Sequence, residues 1–404
     1  ALNDLTTAIA NTAFGYNALA VNLTGNYNTA VGKGALASNT TQLNTAVGHN
    51  ALTSNTTGSE NVAMGYNCLD ANTTGGTLTA VGAYALTSNT TGSGNAAFGE
   101  SALKNNTTGS ENIGIGKNAL EENTEGDNNI AIGGHCMGAN TTGSGNTAMG
   151  RGTLDVNTTG NYNTAVGYNT LDANTTADHL VAIGRAALGA NTTGTLNTAV
   201  GSFALETCTT GIRNTAVGYD AGELITTGEK NTILGAYAGE SLTTGSNQLL
   251  LGHDAGTGSS PSGLQTTGEN NICLGDNSIT NSYIKVDWTV TSDRRDKTDI
   301  TPFSHGLSWI NKLNPVTYRW DNRSDYENGI PDGSKKKAQL NVGLIAQDEL
   351  EVEKEHGYGD TPENMLITDI NADGNYGMQY SKLIPILINA VKELSTKVAA
   401  LEAA

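Results

Sequence analysis

A serine and a lysine stand five residues apart in the stretch Thr289-Val290-Thr291-Ser292-Asp293-Arg294-Arg295-Asp296-Lys297. A lysine amine that has lost its proton can take the proton of a nearby hydroxyl and make it a nucleophile, the chemistry of a Ser–Lys dyad. At this spacing the two side chains miss each other on a regular helix but can meet across a turn. A plainer reading fits as well: Ser-Asp as a helix N-cap ahead of a solvated basic cluster. Spacing by itself favours the plainer one.

Other chemistry is sparse. Asp70, Glu121, Asp155, Asp172 and Glu206 each stand five residues after a periodic glycine, and Asp155 and Asp172 fall in adjacent repeats. Carboxylates about 5 Å apart can act on a glycosidic bond, but no aromatic platform is expected beside these, so a solvated acidic face is the better reading. His49, His135, His179 and His253 sit in different repeats, and the four cysteines (Cys68, Cys136, Cys208, Cys273) form no C-x-x-C pair. No metal site, disulfide framework or cofactor is expected from them. Asp369-x-Asn371-x-Asp373-Gly374 starts like a calcium loop, yet its twelfth position is Tyr380 rather than Glu, so a hairpin turn at Asp373-Gly374 is expected instead. Asn-x-Thr triplets such as Asn55-Thr56-Thr57 are formal glycosylation sequons whose column position makes them structural first.

The elements that must position these groups divide the chain in two. Residues 1–291 carry 8 basic and 21 acidic side chains, whereas residues 292–404 carry 13 and 18 in a third of the length. Five of the 6 prolines lie in the second part and 43 of the 51 glycines in the first, so two architectures join near residue 290. The net charge of −18 repels a phosphate backbone, and no run approaches the ~18 apolar residues of a spanning helix. Neither a nucleic-acid partner nor membrane insertion is expected. The chain opens Ala-Leu-Asn-Asp without Met, which reads as an excised or truncated start and leaves a signal peptide unjudged.

The first part is a repeat. Glycines equivalent to that of Asn28-Thr29-Ala30-Val31-Gly32 recur every 17 residues from Gly15 to Gly252, with one interval of 16, and once more 23 residues later at Gly275. Seventeen residues suit one coil of a parallel β-solenoid, with two short strands and two tight turns. Stacked Asn of the N-T-T position should form an amide ladder, and Thr-Thr-Gly and Val-Gly should turn the chain. Sixteen coils at ~4.8 Å each span about 75 Å. Alanine and the following apolar residue (Ala30-Val31, Ala165-Val166) point to opposite faces of the strand, so the small Ala fills the coil and the larger residue forms an outward apolar row. A lone chain would expose that row, so a homo-oligomer is expected. The pattern is similar to the left-handed parallel β-roll heads of trimeric autotransporter adhesins, which implies three parallel chains.

Residues 292–404 read as a small α/β unit. A short helix over Leu307–Leu313 precedes a strand at Pro315–Trp320, and a second strand at Asn341–Ala346 leads into a helix over Gln347–Glu355. Two strand-like arms flank Gly374-Asn375. A final helix over 381–402 carries Ile384, Leu387, Val391, Leu394, Val398 and Leu401 at coiled-coil spacing.

Ser292-Asp293-x-x-x-Lys297-Thr298-Asp299-Ile300 resembles the start of the endosialidase-type intramolecular chaperone of phage tail spikes and fibres. Leu313-x-Pro315-Val316-x-Tyr318-x-Trp320, Gly343-Leu344-Ile345-Ala346-Gln347-Asp348 and Tyr380-Ser381-x-Leu383-Ile384-Pro385-Ile386-Leu387 follow in the same order. The resemblance implies a trimer, assisted folding of the preceding fibre, and one self-cleavage at Thr291–Ser292. Ser292 would be its nucleophile and Lys297 its base, with His305 and the acids near the junction as candidate helpers. It would be a single-turnover serine autoprotease at most, with no multiple-turnover activity.

The reading is mainly β: a 1–10 lead-in, a trimeric parallel β-roll shaft over 11–256, a distal tip over 257–291 bearing Tyr283–Trp288, and an α/β chaperone over 292–404. It describes a phage tail fibre in the virion tail, assembled in the host cytoplasm, contacting other tail or baseplate proteins and a host receptor or glycan. The alternatives are a bacterial adhesin head, a glycan-cleaving tail spike using Asp155 and Asp172, and an ice-binding solenoid using its stacked Thr-Thr columns.

Overall fold

The computed structural model describes residues 7–279, 281–285, 290–327, 329–370 and 374–404. They form two units, one of residues up to 257 with 265–275, the other of 258–264 with 276–404. Among the described residues no helix is long and apolar enough to cross a membrane.

The first unit is a parallel β-solenoid. Sixteen three-residue strands, from β1 (Thr12–Phe14) to β16 (Ile272–Leu274), pair in chain order into one parallel sheet. Ala13 pairs with Ala30 and Ala165 with Ala182, one repeat on. The shorter interval keeps this register (Ala30 with Ala46), and so does the longer one (Leu250 with Cys273). Inserted residues therefore leave through the turns, because slipping the strand by one would put the outward row inside.

Each coil has one strand, not the expected two. Outside Thr-Ala-apolar the chain turns repeatedly through the left-handed region, as at Tyr84 (φ 61°) and Leu86 (φ 52°). Those turns end regular pairing, yet the coils still bond to one another, Leu86 N–H to the Ala102 carbonyl at 3.0 Å and Thr90 N–H to Thr107 at 2.9 Å. An L side chain there costs about 1–2 kcal/mol, and burying a leucine returns roughly 2 kcal/mol. Leu86 and its equivalents Leu103 and Leu120 are wholly buried, so the turn aims them inward. The periodic glycines have no such substitute. Gly150 sits at φ +136°, and a Cβ on it would lie 2.0 Å from the Gly167 carbonyl oxygen of the next coil.

The interior is alanine, leucine and asparagine. From Asn39 to Asn191 the N-T-T asparagines form the expected ladder, each Nδ2 donating to the Oδ1 of the preceding coil's residue at 2.7–3.1 Å. A second ladder, not foreseen, uses the Asn that stands immediately before most of the strands. Asn95 Oδ1 accepts from the Asn112 N–H at 2.9 Å, and its Nδ2 donates to the Gly109 carbonyl at 2.7 Å. Buried amides are tolerated because both ends are bonded. The apolar row faces outward as expected, with Phe98 41% and Leu234 50% exposed.

In the second unit, β17 (Val316–Tyr318) pairs antiparallel with β18 (Asn341–Gly343), and β19 (Thr368–Ile370) with β20 (Tyr376–Met378). Three helices accompany them: α1 (Leu307–Ile310), α2 (Ala346–Glu355) and α3 (Leu383–Glu402). α1 stops at Ile310, short of the expected Leu313, because the chain tightens there into i→i+3 turns, the Lys312 N–H donating to the Trp309 carbonyl at 2.9 Å and the Leu313 N–H to that of Ile310 at 3.2 Å. Trp309, Val352, Ile367, Leu383 and Ile386 form the core. Leu383, Ile386 and Ala390 put one face of α3 into its own unit, while Ile384, Leu387, Val391, Leu394, Val398 and Leu401 are all exposed. Asn371 and Asp373 of the calcium-loop-like stretch, and Val286–Trp288 of the expected tip, lie outside the described residues.

Candidate functional site

The junction is a single 3-10 turn, Arg294–Asp296. Asp293 caps it, its carboxylate accepting from the Arg295 N–H at 2.9 Å. The Arg295 guanidinium grips the same carboxylate, Nη2 at 2.6 Å and Nε at 3.1 Å. This bidentate contact holds the Asp293 carboxyl below its usual range. With Asp293 as the cap, the Ser292 hydroxyl is left over, and the turn returns Lys297 to it: Nζ donates to Ser292 Oγ at 2.5 Å. The plainer N-cap reading and the dyad geometry therefore coexist, on different residues. Thr291, Ser292 and Lys297 are all exposed in the single chain.

His305 lies in an aromatic cluster, its ring 5.0 Å from His356, 5.3 Å from Phe303 and 5.9 Å from both Trp309 and Tyr358. His356 stacks on Trp309 at 4.6 Å. The chaperone-like unit also buries two carboxylates that sequence reasoning missed, Glu349 and Glu353, one turn apart on α2. Glu353 accepts three consecutive backbone N–H groups, from Leu366, Ile367 and Thr368, at 2.7–2.9 Å and so anchors the entry to β19. Glu349 accepts the Trp309 indole N–H at 2.8 Å, and its other oxygen is buried without a hydrogen-bond partner. Burial, and secondarily the neighbouring Glu353, push the Glu349 carboxyl up against the pull of the indole. The i, i+4 spacing of the pair around Leu350 and Val352 was the available signal, masked by the acidity of the whole helix.

In the solenoid, all four cysteines are buried thiols; burial pushes Cys68 and Cys136 up to about 12 and Cys208 to about 11. Asp172 is raised by burial, with a smaller contribution from Asp155 in the preceding coil. The acidic column does have aromatic neighbours, contrary to expectation: Tyr168 and Phe203 share a notch with Asp172 and Glu206. They were hidden because they stand one and two residues after the glycine, in columns where most coils carry small or polar side chains.

Residues 292–358 match the model of a peptidase family described as the chaperone of endosialidase. No curated protein and no solved structure matches the chain. The matched segment opens at Ser292, the residue that Lys297 contacts. Residues 292–358 are thus similar to an endosialidase-type chaperone, and they follow a parallel β-solenoid of 17-residue coils in the same chain.

Proposed function

We propose that the chain is a phage tail fibre or tail spike protein, part of the virion tail, whose C-terminal segment assembles three parallel copies and then cuts itself free at Thr291–Ser292. The coincidence between the first matched residue, Ser292, and the hydroxyl that receives Lys297 Nζ carries this reading. In the reaction, Ser292 Oγ adds to the Thr291 carbonyl carbon and Lys297 Nζ takes its proton. The Thr291–Ser292 C–N bond breaks as the Ser292 nitrogen gains a proton, leaving an ester on Oγ. Water hydrolyses that ester to a Thr291 carboxylate and a free Ser292 hydroxyl.

An amine serves as base only once it is desolvated, and this pair is open to water in the single chain. The trimer supplies a reason for covering it after assembly. Two apolar surfaces support the trimer: the outward row of the solenoid and the seam of α3. Among the described residues neither has a partner, and soluble monomers avoid such stripes. Parallel coils pair through contacts that are distant in sequence, so their register is best set at one end. Removing the register-setting segment afterwards leaves a kinetically trapped fibre. Attachment to a host surface is the task such a fibre would perform.

Intact mass under denaturing conditions tests the proposal. The expected result is two fragments divided between Thr291 and Ser292, replaced by one chain in Ser292→Ala and Lys297→Met. An uncut 41.6 kDa chain in every sample refutes the proteolysis.

A further inference from the structure

One coil of the solenoid departs from its neighbours on a single face. Two residues after the periodic glycine, the flanking coils carry Asn169 and Phe203; five residues after it they carry Asp172 and Glu206. The coil between them has Ala186 and Gly189 at those places. With two bulky side chains missing from rows ~4.8 Å apart, the flanks stand about 10 Å from each other. The structure has an open notch of about 590 Å³ there, lined by Tyr168, Asp172, Arg185, Ala190, Phe203 and Glu206.

We propose that this notch binds a pyranose unit of a neutral, hydroxyl-rich glycan. Arg185 places its guanidinium over the Phe203 ring, Cζ 4.9 Å from the centroid, so an aromatic ring and N–H donors meet at one side of the notch. Tyr168, 48% exposed, brings a second aromatic ring with a polar tip. Carboxylates only accept and a guanidinium only donates, whereas neighbouring sugar hydroxyls do both. Asp172 and Glu206 both line the notch and offer carboxylate oxygens to it as acceptors. The C–H face of a sugar ring suits the aromatic rings of Tyr168 and Phe203, which a small inorganic ion would leave uncovered. Two acids against one arginine, on a chain of net charge −18, disfavour an anionic glycan.

The surface continues beyond the notch. Phe203, Tyr219 and Tyr237 form an edge-to-face ladder, with centroids 6.0 and 5.5 Å apart, on successive coils. The coil rise is close to the length of one sugar ring, so an oligosaccharide lying along the solenoid meets one aromatic per unit. This inference stands apart from the cleavage and virion readings.

The test titrates the full chain with maltohexaose, cellohexaose, mannohexaose and chitohexaose, with sialyllactose as the anionic control, by calorimetry and saturation-transfer NMR. Saturable binding of at least one neutral probe is expected, weakened tenfold or more by Arg185→Ala and Phe203→Ala. Glu121→Ala, in the same column outside the notch, should leave affinity unchanged. Gly189→Gln, which refills the gap, should also abolish binding, and it decides the matter if Phe203→Ala melts early. Absence of binding by every neutral probe, preference for sialyllactose, or wild-type affinity in a folded Gly189→Gln chain overturns the proposal.

Discussion

Replacing Asn106 by cysteine should open the middle of the solenoid locally. Asn106 is fully buried, and its Nδ2 donates to Asn89 Oδ1 at 2.8 Å and to the Gly109 carbonyl at 2.9 Å, while its Oδ1 accepts from Asn123 Nδ2 at 2.8 Å. Cysteine has neither a comparable donor nor a comparable acceptor. Gly109 keeps its bond from Asn95, but Asn89 Oδ1 and one N–H of Asn123 become buried orphans. At 1–3 kcal/mol per orphan and about 1 kcal/mol for the lost carbonyl contact, the change costs roughly 3–7 kcal/mol. The protein carries its own version of this break. Cys208 stands where the next ladder asparagine would be, and Asn191 Oδ1 is buried without a hydrogen-bond partner. Cys208→Asn moves that orphan one coil on and adds two bonds, to Asn191 and to the Gly211 carbonyl, for a gain of about 1–2 kcal/mol. Because solenoids open locally, the assay is native-state hydrogen exchange read by coil, not a single melting curve. The control is Asn105→Ala, whose half-buried side chain bonds Glu122 at 2.9 Å and should matter by less than about 0.5 kcal/mol. If Asn106→Cys protects its coil as well as Asn105→Ala does, the ladder is not what stabilises the interior.

Three further outcomes are expected. Gly150→Ala combines a φ of +136° with a Cβ driven onto the Gly167 carbonyl, and should cost about 2–6 kcal/mol, seen as lost exchange protection in the coils beginning at Gly150 and Gly167. Glu349→Gln keeps an acceptor for the Trp309 indole but removes a buried charge. A carboxyl raised by burial stabilises the fold below the unfolded value, about pH 4, and that contribution is lost as pH rises through the folded value, so the variant should raise the melting temperature of the C-terminal unit at pH 7 and lose the advantage near pH 4; equal melting at both pH values refutes this. Leu387→Asp with Val391→Asp, on the exposed seam of α3, should leave secondary structure intact and abolish association in sedimentation velocity; an unchanged mass would show that the seam is not the contact.

Much of the solenoid was legible from residue order because each coil must satisfy the same constraints as the next. Glycine recurs where a Cβ would strike the next carbonyl, alanine where the coil is narrow, and asparagine where an amide can bond along the stack. These are local requirements repeated sixteen times, so they appear as columns. The single strand per coil was not legible, because Leu86 and its equivalents take positive φ, a strain that only their burial in the folded coil offsets. At the junction, residue types and order pointed to Ser292 and Lys297. Which residue caps the turn, and hence whether the serine hydroxyl is available, was decided by Arg295 gripping Asp293. The notch and the buried Glu349–Trp309 pair join residues 34 to 40 positions apart through small residues that leave space or helices that share a core. Periodicity and spacing determine what repeats along the chain. Only tertiary packing decides what side chains from different coils and elements leave between them, because burial and free volume are properties of neighbours in space.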